Sequence, residues 1–259
     1  MRITALSTGC CNAIGRGMKT ILIIGIGTGN PEHLTVQAIN ALNRADVLFI
    51  PDKGESKSAL AAVRRDIIGR YVTNSASRTI DYAVPQRDAA NPDYGSGVAD
   101  WHSGLAAIFG TLMEHVPERG AGAFLVWGDP GLYDSTIRIV EQLGGDHRVE
   151  VVPGITAIQA LTAAHAIGLN RVGEPVLITT GRRLGPVEQD TVVMLDGQLA
   201  FAEADPDLQI FWGAYLGTAD EMIISGRIGD VRDTIMEARR AARAQHGWIM
   251  DTYLLRRPH

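Results

Sequence analysis

Residues 20–26, TILIIGI, form an unbroken apolar run rich in β-branched side chains. Such a run suits a strand covered on both faces, as in a parallel sheet flanked by helices. Gly27-Thr28-Gly29-Asn30-Pro31 then ends the strand, and Pro31 suits the first turn of a helix carrying Leu34, Ala38, Ala41 and Leu42 on one face. The same unit recurs. Strand 47–50 runs into PDKG, strand 123–127 into GDPGLY, and strand 149–152 into PGITA. Helices are expected at about 56–69, 98–116, 135–143 and up to 167, with a further strand at 78–84 and a polar loop over 85–97. Strands alternating with helices imply an α/β fold. In a parallel sheet the loops after the strands share one edge, and ligands bind outside the carboxyl ends of such strands. Each loop alone reads as a Gly/Pro turn; together they mark a site.

Past residue 172 strands dominate, at 176–180, 191–195, 208–212, 222–228 and 248–256. Two α/β domains are expected, 18–171 and 172–259, joined at LNRVGEP with a cleft between them. Residues 1–17 read as a leader without packed structure, ahead of a folded domain that starts at Met18. They hold no apolar core long enough for a secretory signal, and nowhere does an apolar stretch reach the ~18 residues of a membrane span.

The 2 cysteines are neighbours, Cys10 and Cys11, so neither a disulfide framework nor a tetrahedral metal site is expected. This usage suits a reducing cytoplasm. The histidines lack metal-ligand spacing, and no metal is expected. A net charge of −5 without a long basic run argues against nucleic acid. A few local arginines still suit an anionic small molecule.

The loops admit more than one chemistry. Gly25, Gly27 and Gly29 before a helix suggest a dinucleotide site, with Asp52 placed to meet a ribose. However, Asn30 stands where that fingerprint needs its third glycine, so an NAD-dependent oxidoreductase is an incomplete fit. Asp129 can meet a ligand or cap its own turn. Thr156 can line a site or cap a helix. Asp52, Lys53 and Glu55 form either a solvated loop or an acid–base group. No triad geometry is visible among the serines and histidines.

Taken in order, GxGxGNP, GDPxxY and PGITA resemble the tetrapyrrole (corrin/porphyrin) methylases across residues 19–257. The resemblance implies S-adenosylmethionine held between two domains, a tetrapyrrole substrate and a homodimer. It places Thr28, Trp127, Gly128, Asp129, Leu132, Tyr133, Thr156 and Ala157 on one wall of the cofactor site. Leu195, Asp196, Trp212, Gly213, Gly247 and Trp248 fall on the other. Thr28 and Asp196 depart from the proline and methionine common at those positions. The strings PDKG and TTGRRL resemble the branch that methylates precorrin-5 at ring carbon 1 with loss of acetate. Asp52 and Lys53 are then candidates for the acetate step, and His33, Arg64, Arg65, Arg182 and Arg183 for substrate binding.

Overall fold

The computed structural model describes residues 17–52, 54, 58–85 and 94–258. Expectations for Lys53 and Glu55, for most of the 85–97 loop and, apart from Gly17, for the 1–17 segment lie outside the described residues.

The first sheet is wholly parallel. Its strands are β1 (Lys19–Gly25), β2 (Val47–Asp52), β3 (Arg78–Ala83), β4 (Ala121–Val126) and β5 (His147–Val152), in the order β3-β2-β4-β1-β5. Helices cover both faces, which explains the continuous apolar run of β1. Ile21 and Ile23 face α3 (Tyr94–Glu114) and α4 (Thr136–Val140), whereas Leu22 and Ile24 face α1 (Val36–Arg44) and α2 (Ser58–Tyr71). From β1 the chain crosses β4 to reach β2, and from β4 it crosses β1 to reach β5. The neighbours β1 and β4 thus lead in opposite directions, and a crevice opens at such a switch point.

The first helix begins later than Pro31 suggests. Asn30 caps only a short 3-10 turn, Pro31–His33, and α1 starts at Val36 behind its own cap, Thr35, whose hydroxyl accepts from Ala38 N at 3.0 Å. No α-helix N-terminus therefore follows the first glycine loop directly, and a pyrophosphate would lack its usual seat. This weighs against the dinucleotide reading.

The second sheet is mixed: β6 (Val176–Thr180), β7 (Asp190–Met194), β10 (Asp251–Arg256), β8 (Gln209–Ala214) and β9 (Met222–Arg227), in that order. Helix α6 (Ile228–His246) covers one face through Ile228, Ile235 and Ala242. The other face is covered by α5 (Ala157–Ala164), through Ile158 and Leu161 against Val192 and Leu254. Packing therefore passes from one sheet to the other at the PGITA loop, ahead of the LNRVGEP stretch. Among the described residues no helix is long and apolar enough to cross a membrane.

Candidate functional site

Three of the glycine loops interlock at the β1–β4 switch point. Gly27 and Gly128 exchange backbone hydrogen bonds of 3.3 and 2.8 Å. A Cβ on Gly154 would stand 2.1 Å from the Gly128 carbonyl, and one on Gly25 would stand 2.6 Å from Gly154 N. Here glycine is required because backbone meets backbone. Asp129 fastens the same junction: one carboxylate oxygen accepts from Gly131 N at 2.7 Å, the other from Gly154 N at 2.9 Å. The side chain holds its own turn and staples the fifth-strand loop to the fourth.

Opposite lies the loop after β8. A Cβ on Gly217 would meet Thr28 Oγ1 at 3.0 Å and His33 Cε1 at 3.1 Å, while one on Gly29 would meet Thr218 Cγ2 at 2.4 Å. Thr28 is 2% exposed, and its hydroxyl pairs with His33 Nδ1 at 3.3 Å. Thr28 and His33 thus close one end of the cleft by packing. The Gly217-Thr218 contact was missed in the sequence, where only the glycine of LGT hinted at it.

Other expected residues divide by what their side chains already do. Trp212 is fully buried, with its indole N–H on Asp251 Oδ2 at 2.9 Å, so its ring is a core element and cannot flank a ligand. The Asp196 carboxylate is consumed by Gln198 N, Ala200 N and Tyr253 OH at 3.0, 2.7 and 2.7 Å. Their carbonyls are engaged as well: that of Trp212 accepts from His165 Nε2 at 3.0 Å and that of Asp196 from Arg239 at 2.5 Å. Gly213 is pinned under Leu161 and Leu216, and Gly247, at φ 74°, caps the end of α6. Thr156 and Gln159 form a reciprocal cap at the start of α5. Trp248 stacks edge-on against Tyr215 at 5.0 Å, and its carbonyl accepts from the Tyr215 hydroxyl at 2.5 Å.

Two apolar residues behave differently. Leu195 and Tyr133 hold left-handed backbone at φ 53° and 51°, yet are 58% and 44% exposed. Non-glycine residues adopt that conformation at a cost, and such strain clusters at functional sites. Leu132 and Ala157 are partly buried beside the Ile158–Leu161 cluster, so they line the seam between the sheets.

The expected substrate residues are not brought together. Arg65 is exposed and paired with Asp81 at 2.9 Å on the edge strand β3. Arg182 and Arg183 sit exposed on the turn after β6. Asp52 is exposed at the end of β2 and accepts from Gly54 N at 2.9 Å. Of the expected arginines Arg64 alone turns inward, to a cavity of about 270 Å³ that Tyr82, Trp101 and Asp134 also line. The sequence carries one signal for Tyr82: Ile80 and Tyr82 alternate on β3, and Val84 continues the pattern just past its end. Among the described residues no group of His, Cys, Asp or Glu is placed to hold a metal.

A parallel sheet with glycine loops at its switch point, facing a second sheet, is a geometry that several enzyme families share. Residues 20–232 match the tetrapyrrole (corrin/porphyrin) methylases. The chain belongs to that family. It is 59% identical to precorrin-6A synthase [deacetylating] of Sinorhizobium sp over 251 residues, 93% of this chain and 96% of that one. A Corynebacterium diphtheriae protein described as cobalamin synthesis related (CobF) superposes with a TM-score of 0.79 at 40% identity, covering 93% of this chain and 99% of that one. Uroporphyrin-III C-methyltransferase of Thermus thermophilus, solved with S-adenosylhomocysteine, shares the fold at a TM-score of 0.56 and 17% identity, over 91% of each chain. Tetrapyrrole methylases use S-adenosylmethionine.

Proposed function

We propose that this tetrapyrrole methylase transfers a methyl group from S-adenosylmethionine to ring carbon 1 of precorrin-5, releases acetate and forms precorrin-6A in aerobic cobalamin biosynthesis. The observation that carries the reading is the 59% identity to precorrin-6A synthase [deacetylating] over nearly the full length of both chains.

The cleft residues fit the cofactor. Trp127, Leu132, Tyr133, Ala157, Leu195 and Trp248 offer apolar surface, set on the backbone frame that Gly27, Gly128 and Gly154 lock together. When bound, the cofactor supplies an electrophilic methyl group whose leaving group is neutral, so strong acid catalysis is not required. The protein's task is alignment and exclusion of water, and near-attack positioning is worth up to ~7–11 kcal/mol. The interlocked loops perform it: a seat made of main chain has few rotamers to freeze.

Acetate release needs water added to the acetyl carbonyl carbon. The bond from that carbon to the macrocycle breaks, its electron pair returns to the methylated, electron-poor ring, and acetic acid leaves. Asp52, at the carboxyl edge of β2, is assigned to take the proton from water, with Lys53 beside it in sequence as the electrostatic partner.

We also assign a homodimer in the cytoplasm. Supporting the dimer, Val149 and Val151 on edge strand β5 are 47% and 41% exposed, and Leu177 and Ile178 on edge strand β6 are 44% and 41% exposed. An uncovered apolar sheet edge invites pairing. Light scattering of the purified protein checks this.

Incubation with precorrin-5 and methyl-labelled cofactor tests the activity. One methyl added and one acetate released per macrocycle is the expected result. Methylation without acetate overturns the deacetylating assignment.

A further inference from the structure

Beside the methyl-donor cleft, under α3, lies the chamber of about 270 Å³ that methyl transfer does not explain. Its walls are aromatic: Tyr82, Phe109 and Phe124 pack edge-on and stacked, and Trp101 closes the side toward Pro85 with its indole N–H on that carbonyl at 2.8 Å. The mouth is at the carboxyl edge of the sheet, where Trp127 and Tyr133 belong both to the chamber and to the glycine loops.

Into these walls α2 projects Arg64, 5% exposed. Its Nε donates to the Leu125 carbonyl at 3.0 Å and one Nη to the Leu60 carbonyl at 2.8 Å. Both acceptors are neutral. Among the described residues the other Nη has no hydrogen-bond partner and the guanidinium has no ion pair. Among the described residues no carboxylate pairs with it: Asp134 acts on it only through space, and one oxygen of that carboxylate already accepts from Thr136 N at 2.7 Å. Burial lowers the Arg64 guanidinium to about 10, which leaves it charged at neutral pH. A desolvated cation without a carboxylate costs stability. Two carbonyls hold it in place but leave a side of its fork open, and that fork matches a carboxylate.

We propose that the chamber is a subsite for one carboxylate-bearing arm of the substrate, with Arg64 as its partner. The volume falls below the ~300–1,000 Å³ of a pocket that encloses a whole drug-sized ligand, so the chamber takes an acetate- or propionate-sized arm and leaves the macrocycle outside, against the donor loops. Arg64 is then a specificity-determining residue, and it does not take part in bond making. The inference rests on the methyltransferase reading above.

Steady-state methyl transfer to precorrin-5 by Arg64→Met and Arg64→Lys tests it, with S-adenosylhomocysteine binding by calorimetry and thermal melting alongside. Arg64→Met is expected to raise KM for precorrin-5 about 10- to 100-fold, the loss of a charge-assisted hydrogen bond. Its kcat changes far less, its S-adenosylhomocysteine affinity is unchanged, and its melting temperature does not fall. Arg64→Lys, which keeps the charge and loses the fork, recovers part of the KM. An unchanged KM in Arg64→Met overturns the subsite and leaves the methyltransferase reading standing. Should Arg64→Met not fold, Arg64→Lys decides: a raised KM supports the subsite and an unchanged one overturns it. Wild-type protein that binds S-adenosylhomocysteine yet transfers no methyl to precorrin-5 overturns the substrate assignment and the subsite with it.

Discussion

Glycine does two different jobs at the junction of the loops, and substitution separates them. At Gly154 a side chain has nowhere to go, because its Cβ would lie 2.1 Å from a carbonyl oxygen. At Gly128 space is open, but φ is 70°, which a side chain tolerates at a cost of about 1 kcal/mol. Gly154→Ala is therefore expected to lower the melting temperature several times more than Gly128→Ala, by differential scanning calorimetry. Arg64 and Arg65 show why side chains were hard to rank from sequence. The two are neighbours of one type, yet the rotation of about 100° between successive helix positions separates a buried cation from an exposed one paired with Asp81. Likewise the side-chain polar atoms of Asp129, Asp196 and Trp212 are spent on the fold, and only tertiary structure reveals that. On the surface, Arg44 holds Glu150 through contacts of 2.5 and 3.3 Å and draws its carboxyl below the ordinary 4.5. The stabilisation is present above that value and fades as pH falls through the lowered one. Both side chains keep contact with water, so Glu150→Gln should cost under ~1 kcal/mol at neutral pH and nothing in strong acid, by urea unfolding at each pH.

The central strands of the first sheet, β1, β2 and β4, were legible because burial on both faces writes a continuous apolar run. The second sheet was legible as strands, but the helix that covers its inner face was not assigned to it. Helix α5 follows β5 in sequence, and nothing in AIQALTAA tells which sheet it meets. Its start is fixed by the Thr156–Gln159 cap, so Thr156→Ala is expected to destabilise by about 1 kcal/mol. The second sheet also holds a buried charge pair. Arg239 on α6 meets Asp251 on β10 at 2.9 Å and gives the Asp196 carbonyl a further bond at 2.5 Å, while Trp212 donates to the same carboxylate. Asp251→Ala leaves that cation buried and unpaired, and a loss of about 3–5 kcal/mol is expected in chemical denaturation. Replacing both Arg239 and Asp251 by apolar residues of matching volume should restore most of it.

At the scale of the whole molecule, two sheets meet through α5 on one side and through the Thr28–Gly217 contact on the other, with the proposed donor cleft between. A ligand that bridges them binds the native state alone. S-adenosylhomocysteine at about 100 times its Kd should stabilise the protein by ~2.7 kcal/mol in a thermal-shift titration, whereas NAD should not move the transition. A shift with NAD alone would reverse the cofactor assignment. The interlocked glycines carry one more consequence. Gly27, Gly128 and Gly154 lock the loops backbone to backbone, so exchanging side chains around a methyl donor seated there, as proposed, leaves the seat intact. The acceptor chamber is the opposite case, built from Arg64, Tyr82 and Trp101 on elements outside that seat. Heredity can thus rewrite which molecule is modified while the modifying step stays as it was, and a scaffold divided in this way is suited to furnish consecutive steps of one biosynthesis from copies of a single ancestor.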